Sequence, residues 1–260
     1  MQRSVPLAAA IAIWAVIPFL MGAEGTSSPY SDAVNDIDPL ISNAGGTLDI
    51  LGMEVSNTAT DLNFKLTVNG DVGTTDWGNF MIGIATGKTA GTVAATGNGW
   101  ARPINLTLDA GDPSSDGMNY WIGSWVNGGG GSQLWTYDNT GSSWSGPAGL
   151  AGYSFTAGAT SEISYTVALT DLNLSPGDTF SFDAYSSGGG ATDSAVDSLA
   201  NPNISITDWA GPYTSSPTAT AGNGLNTYAV AVPEPQSVAI VAAIVAATGF
   251  GVSRRLRRGA

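Results

Sequence analysis

Neither cysteine nor histidine occurs anywhere in this chain. The first absence excludes a disulfide framework, so the fold must be held by its apolar core or by bound ions. The second removes Ser–His and Cys–His nucleophilic pairs and every zinc site that needs an imidazole. Cations are scarce as well: 8 Lys and Arg stand against 21 Asp and Glu. Setting aside Arg3, Arg254, Arg255, Arg257 and Arg258 at the two ends, together with Glu24 and Glu234, leaves 19 acids against Lys65, Lys88 and Arg102, a formal charge of −16. Such a surface has almost nothing to neutralise phosphates with, so nucleic acid is excluded as a partner. Catalytic signatures are missing too: there is no G-x-S-x-G, no P-loop, no HExxH and no G-x-G-x-x-G. A glycosidase needs two carboxylates about 5–10 Å apart, but so many acids supply such pairs by chance. The chain is therefore expected not to be an enzyme.

What is present is clearest at the ends. Arg3 precedes an apolar run from Val5 to Leu20, and Ala23-Glu24-Gly25 offers an A-x-A-like cleavage site before Thr26. Residues 1–25 read as a secretory signal peptide; an uncleaved signal anchor is the alternative, disfavoured by Pro6, Pro18 and the small-residue exit. At the other end, Val232-Pro233-Glu234-Pro235 is followed by an apolar run over 238–252 and then by Arg254, Arg255, Leu256, Arg257 and Arg258. The run is shorter than the about 20 residues of a full membrane span, although extending it over 235–253 brings it nearer. Arginines on the cytoplasmic side would leave the domain outside. A plain tail anchor and a processed sorting signal both give this topology and differ only in permanence.

The intervening region, 26–231, reads as one extracytoplasmic all-β domain large enough for a buried core. Leu62, Phe64, Leu66 and Val68 alternate with polar residues, and Ile163, Tyr165, Val167 and Leu169 repeat the pattern. Period two predicts half-buried antiparallel strands. Further strands are predicted over 47–56, 79–86, 119–126, 133–137, 179–185 and 225–230. Of these, 79–86 and 119–126 are apolar on both faces, as expected near the middle of a sandwich. Residues 57–60 have the length of a hairpin, and the glycine runs 128–131 and 188–190 read as turns. Residues 193–199 are the one place where a short helical turn is expected. Many short strands at this spacing predict an antiparallel β-sandwich, jelly-roll-like, flanked by a signal helix and a C-terminal membrane helix.

Two sets of side chains can carry binding. Asp32, Asp36 and Asp38 precede the first long strand, Asp109, Asp112 and Asp116 share a loop, and Asp193 and Asp197 follow the 188–190 glycines. Short carboxylates in Gly- and Asn-rich loops are good calcium ligands, and they are also ordinary turn formers. Asp36, Asp38, Asp193 and Asp197 are taken as candidate ligands, with calcium the one cofactor in view. The other set is aromatic: Trp77, Trp100, Trp121, Trp125, Trp135, Trp144 and Trp209. Trp121 and Trp125 share a strand face with Gly123 between them, and a flat indole stacks on the apolar face of a sugar ring. Trp121, Trp125 and Trp135 are the candidate sugar platform; core packing is the competing role for each.

Two resemblances rest on these residues. Val232-Pro233-Glu234-Pro235, the apolar span from Val238 and the 254–258 arginines resemble the PEP-CTERM sorting signal of Gram-negative bacteria. That resemblance, over 232–260, implies an exosortase and the inner membrane as partners, with Pro233, Glu234, Pro235, Arg254, Arg255, Arg257 and Arg258 as the recognised residues. It also implies export to the periplasmic face, then release to the cell surface or an exopolysaccharide matrix. The ectodomain, through Leu48-Asp49-Ile50, residues 61–66, 76–84, 99–100 and 120–126, and the 188–197 segment, resembles DOMON-like sandwiches related to carbohydrate-binding module family nine. Members that bind sugar clamp it between aromatic residues, and some hold calcium structurally. The expected function is a non-catalytic surface or matrix protein that binds extracellular polysaccharide. Its alternatives are an acidic structural spacer without a specific ligand and, least favoured, a glycan-active enzyme.

Overall fold

The computed structural model describes residues 27–41, 46–108, 117–216 and 225–232. The signal segment, the sorting motif with its arginines, and Asp109, Asp112 and Asp116 lie outside the described residues. Among the described residues, no helix is long and apolar enough to cross a membrane. The strands in chain order are β1 (Ser28–Ser31), β2 (Ile50–Asn57), β3 (Asp61–Asn69), β4 (Asn79–Ala85), β5 (Ile104–Leu106), β6 (Tyr120–Trp125) and β7 (Gly131–Asp138). They continue with β8 (Ser143–Ala148), β9 (Gly152–Thr156), β10 (Thr160–Ala168), β11 (Thr179–Ser187), β12 (Ala195–Ser198), β13 (Tyr213–Ser215) and β14 (Asn226–Ala229).

Two antiparallel sheets form a sandwich-like, all-β body. One has the order β1-β2-β3-β10-β9; the other runs β12-β11-β4-β6-β7-β8, with β14 also pairing to β11. A short parallel pair, β5 with β13, stands apart from both. The period-two strands pair with each other: Leu66 faces Ile163, Phe64 faces Tyr165 and Leu62 faces Val167 across β3 and β10. All six side chains are buried. Cross-strand apolar pairs of this kind pin the register, because a one-residue slip would turn the whole set to solvent.

The inward faces of the two sheets meet in one core. It takes Val55, Leu62, Phe64 and Tyr165 from the first sheet and Phe80, Ile82, Ile122, Phe180 and Phe182 from the second. Phe64 meets Phe180 and Phe182 edge-on, with ring centroids 6.3 and 5.9 Å apart. Tyr165 reaches across the core to Ser124 on β6, 2.8 Å away, and Ser124 Oγ donates to the Phe80 carbonyl at 3.0 Å. A buried hydroxyl without such partners would be costly.

β4 and β6 occupy the middle of the second sheet, and their two-sided apolar pattern has a physical counterpart. On the face away from the main core, Met81, Ala85, Trp121 and Tyr185 are covered by Ile37, Ile41, Leu48, Ile104, Leu106, Ile204, Ile206 and Tyr213. Loops and the β5–β13 pair thus roof the second sheet. The helical turn expected over 193–199 is instead β12, antiparallel to β11 through Tyr185–Ser198 and Ser186–Asp197. Ala195, Val196 and Asp197 are all buried, and pairing with an open sheet edge outweighs weak local preference.

Core truncation tests this arrangement. Phe64→Ala is expected to lower unfolding stability by about 3–5 kcal/mol in a denaturant titration. Tyr165→Phe, which removes one hydrogen bond and no volume, should lower it by about 1 kcal/mol.

Candidate functional site

Trp121 and Trp125 do share a face, but they do not form a platform. Trp121 is fully buried and stacks on Tyr185, centroids 6.1 Å apart at 23°. It belongs to the roofed face of the second sheet, which corrects its reading as a sugar contact: an indole pressed into a closed interface has no face left for a ligand. The gap at Gly123 is filled as well. A Cβ there would run into Trp100, so the bare glycine backbone is the seat of the Trp100 indole.

Trp100 sits in the loop between β4 and β5, and it is joined to the sheet by its edge and its face. Its Nε1 donates to Gln133 Oε1 on β7 at 2.9 Å, and Trp135 Nε1 reaches the same oxygen at 3.4 Å. Trp125 leans against it, centroids 6.1 Å apart at 38°. The next residue, Ala101, adopts φ 52°, a left-handed conformation that costs a non-glycine residue roughly 1–2 kcal/mol. Beyond this turn Arg102 passes into the protein. Its Nη1 donates to Ser187 Oγ, the Gly188 carbonyl and the Asp193 carbonyl at 2.8, 3.0 and 3.1 Å, and its Nε is buried without a partner. The Arg102 guanidinium carbon lies 5.6 Å from the Trp100 ring centroid, within cation–π range. Burial depresses its affinity for the proton, partly countered by Asp193.

Together these groups line an open groove of about 360 Å³, with Trp100, Trp125, Arg102 and Gln133 joined by Asn79, Asn127, Gly99, Gly189 and Ala191. Trp100 and Trp125 are half-buried there. No carboxylate is among the lining residues. Sequence reasoning chose Trp125 and missed Trp100 and Arg102. Both come from an irregular loop, where no periodicity marks which way a side chain faces.

The acids divide by whether a donor meets them. Asp38 is buried, and its oxygens accept the Leu40 and Ile206 amides at 2.8 and 2.7 Å. Asp193 Oδ2 accepts the Gly190 amide at 2.8 Å, closing its own loop. Both therefore serve as backbone caps. Asp36 and Asp197, by contrast, come together with Asp32: one oxygen from each lies within 4.8 Å of the others. Asp197 accepts the Ile50 amide at 2.6 Å and the Ser198 amide at 2.8 Å. Among the described residues, Asp32 Oδ2 and both oxygens of Asp36 are buried with no hydrogen-bond partner. Burial first, then the neighbouring acids, push Asp32 up to about 8, and burial, with Asp49 adding to it, takes Asp36 to about 6. Asp197 is raised for the same reasons, with Asp32 its main charged neighbour. Asp49 beside them is fully engaged by the Asn35 amide and Asn69 Nδ2.

No family model matches this chain, and no curated protein matches its sequence. The site therefore has to be read from its own chemistry. One more buried acid, Asp183 on β11, accepts Ser198 Oγ at 2.7 Å and the Ala200 amide at 3.0 Å, yet burial still lifts it to about 7. An acid that is easier to protonate when folded contributes stability that is complete below its unfolded value near 4 and is lost as pH rises through about 7. With chelator present, stability should thus fall between pH 5 and pH 8. Asp183→Asn should remove up to about 3 kcal/mol of that fall, read from denaturant midpoints at the two pH values.

Proposed function

We propose that this chain is an exported, non-catalytic surface or matrix protein whose β-sandwich binds extracellular polysaccharide in the Trp100–Trp125 groove. The observation that carries the reading is the pairing of two half-buried indoles with Asn79, Asn127, Gln133 and Arg102 in an open groove with no carboxylate among its described lining residues. Indole faces suit the apolar C–H side of a sugar ring, while amides suit its hydroxyls. Gln133 Oε1 already receives two indole N–H groups, so its NH₂ is the part of the amide left for a ligand. A general acid and a second carboxylate would be needed in the groove for glycoside hydrolysis, which favours binding over turnover.

The finer features of the proposal follow from the resemblances. The sandwich is of the jelly-roll, DOMON-like kind related to carbohydrate-binding module family nine. The signal peptide exports it, and the Pro233-Glu234-Pro235 motif with its arginine tail is handled by an exosortase at the inner membrane. Processing then releases the domain to the cell surface or matrix. A second reading, an acidic spacer with no specific ligand, is favoured by the charge of the domain, which suits solubility and mutual repulsion.

A glycan array on the purified protein separates the two. The binding reading expects a defined set of polysaccharides to be retained, and Trp100→Ala and Trp125→Ala each to weaken retention about tenfold or more. Trp121→Phe should cost stability and leave retention nearly unchanged. An array blank for the wild type would favour the spacer. Equal losses for Trp121→Phe and Trp100→Ala would remove the groove as the site.

A further inference from the structure

Asp32 follows β1 at the edge of the first sheet, and Asp197 lies on β12 at the edge of the second. Asp36 sits in the loop that leaves β1 and crosses between them. The three bring one carboxylate oxygen each within 4.8 Å of the others. That alone describes an acidic cluster. The decisive observation is the contrast with their neighbours. Asp38, Asp49 and Asp183 all receive amide, side-chain amide or hydroxyl donors. Asp32 and Asp36 are only half-buried as residues, yet Asp32 Oδ2 and Asp36 Oδ1 and Oδ2 are closed to solvent and receive no donor from the described residues. Nor, among the described residues, does a side-chain cation answer them. Lys65 pairs with Glu54 and Glu162, Lys88 pairs with Asp178, and Arg102 gives its bonds to Ser187, Gly188 and Asp193. Three bare buried oxygens among acids whose neighbours are all satisfied call for a positive ligand.

We propose that Asp32, Asp36 and Asp197 hold a divalent cation of the calcium class, and that this ion clasps the edges of the two sheets together. The donor set is all carboxylate oxygen, which suits hard cations and not thiolate- or imidazole-seeking metals. Calcium–oxygen distances of about 2.3–2.6 Å let ligands on opposite sides of the ion stand about 5 Å apart, a span the cluster fits inside. Water would complete the shell. The Asp197 bond to the Ile50 amide at 2.6 Å already ties β12 to the start of β2, and the ion would extend that tie to the segment behind β1. In a domain without disulfides, such a clasp supplies the cross-link that a cystine would otherwise provide. The inference stands apart from the glycan reading and does not depend on it.

The test uses the full chain, stripped with chelator and then titrated with calcium chloride, with melting temperature and calorimetric heat as readouts. The expected result is one site per chain and a rise in Tm of about 3–10 °C at about 10 mM calcium. Asp36→Asn is nearly isosteric and relieves a charge among acids, so it should melt no lower than the stripped wild type while losing most of the shift. Asp32→Asn should behave alike, and Asp138→Asn, at the exposed end of β7, should keep the full shift. Hydrogen exchange across 27–41 should slow when calcium is added to the wild type and stay unchanged in Asp36→Asn. No heat and no shift in the wild type, the full shift in Asp36→Asn, or its loss in Asp138→Asn would each overturn the proposal.

Discussion

Everything in this domain hangs on one sheet being buried on both faces. β4, β6 and β11 carry large apolar side chains to either side, Phe80, Ile82, Ile122 and Phe182 inward and Met81, Trp121 and Tyr185 outward. A sandwich with one solvated sheet face would need only polar residues there. Here the outer face must be roofed, and the roof is made of loops and the β5–β13 pair. With no cystine in the chain, the hydrophobic effect on this doubled interface is the main force holding those loops in place. The candidate groove and the acid cluster both lie where the roof meets the sheet.

The groove exists because the roof is incomplete. Gly123 leaves the sheet bare at one point, Trp100 lands on it, and the half-buried Trp125 and the side chain of Gln133 border the opening. The buried Arg102 beneath is tolerated because one of its nitrogens donates to three oxygens and its ion faces an aromatic ring. A half-covered indole pair over an anchored guanidinium is rigid and amphipathic, which is the physical requirement for gripping a ring that has both apolar and hydroxyl-bearing sides. The acid corner is the opposite case. Polarity there has been brought inside with three of its oxygens meeting no donor among the described residues, at the seam between two sheet edges.

Much of the architecture was legible in the residues. The alternation at 61–68 and 163–169 identified β3 and β10, whose apolar residues prove to face one another across the ladder. The two-sided runs at 79–86 and 119–126 identified the strands at the middle of the second sheet. β12 was read as a helical turn, because four residues are too few for periodicity to speak and its conformation comes from the partner strand. The candidate site residues were legible only in part. Strand geometry placed Trp121 and Trp125 on one face correctly, yet it could not say that a roof covers the first and spares the second. Among the acids, Asp36 and Asp197 were chosen alongside Asp38 and Asp193, whose oxygens turn out to be tied to backbone amides.

The sequence by itself determined the strand pattern, the absence of disulfide and imidazole chemistry, and the excess of negative charge, since each of these is a property of local order or of counting. Only the tertiary structure decided which tryptophans meet solvent and which carboxylates meet a donor. Asp32 and Asp197 are 165 positions apart in the chain and adjacent in space, while Asp36 and Asp38 are neighbours in the chain with opposite fates. Burial and hydrogen-bond satisfaction are set by whatever packs above a residue, and what packs above it comes from elsewhere in the chain.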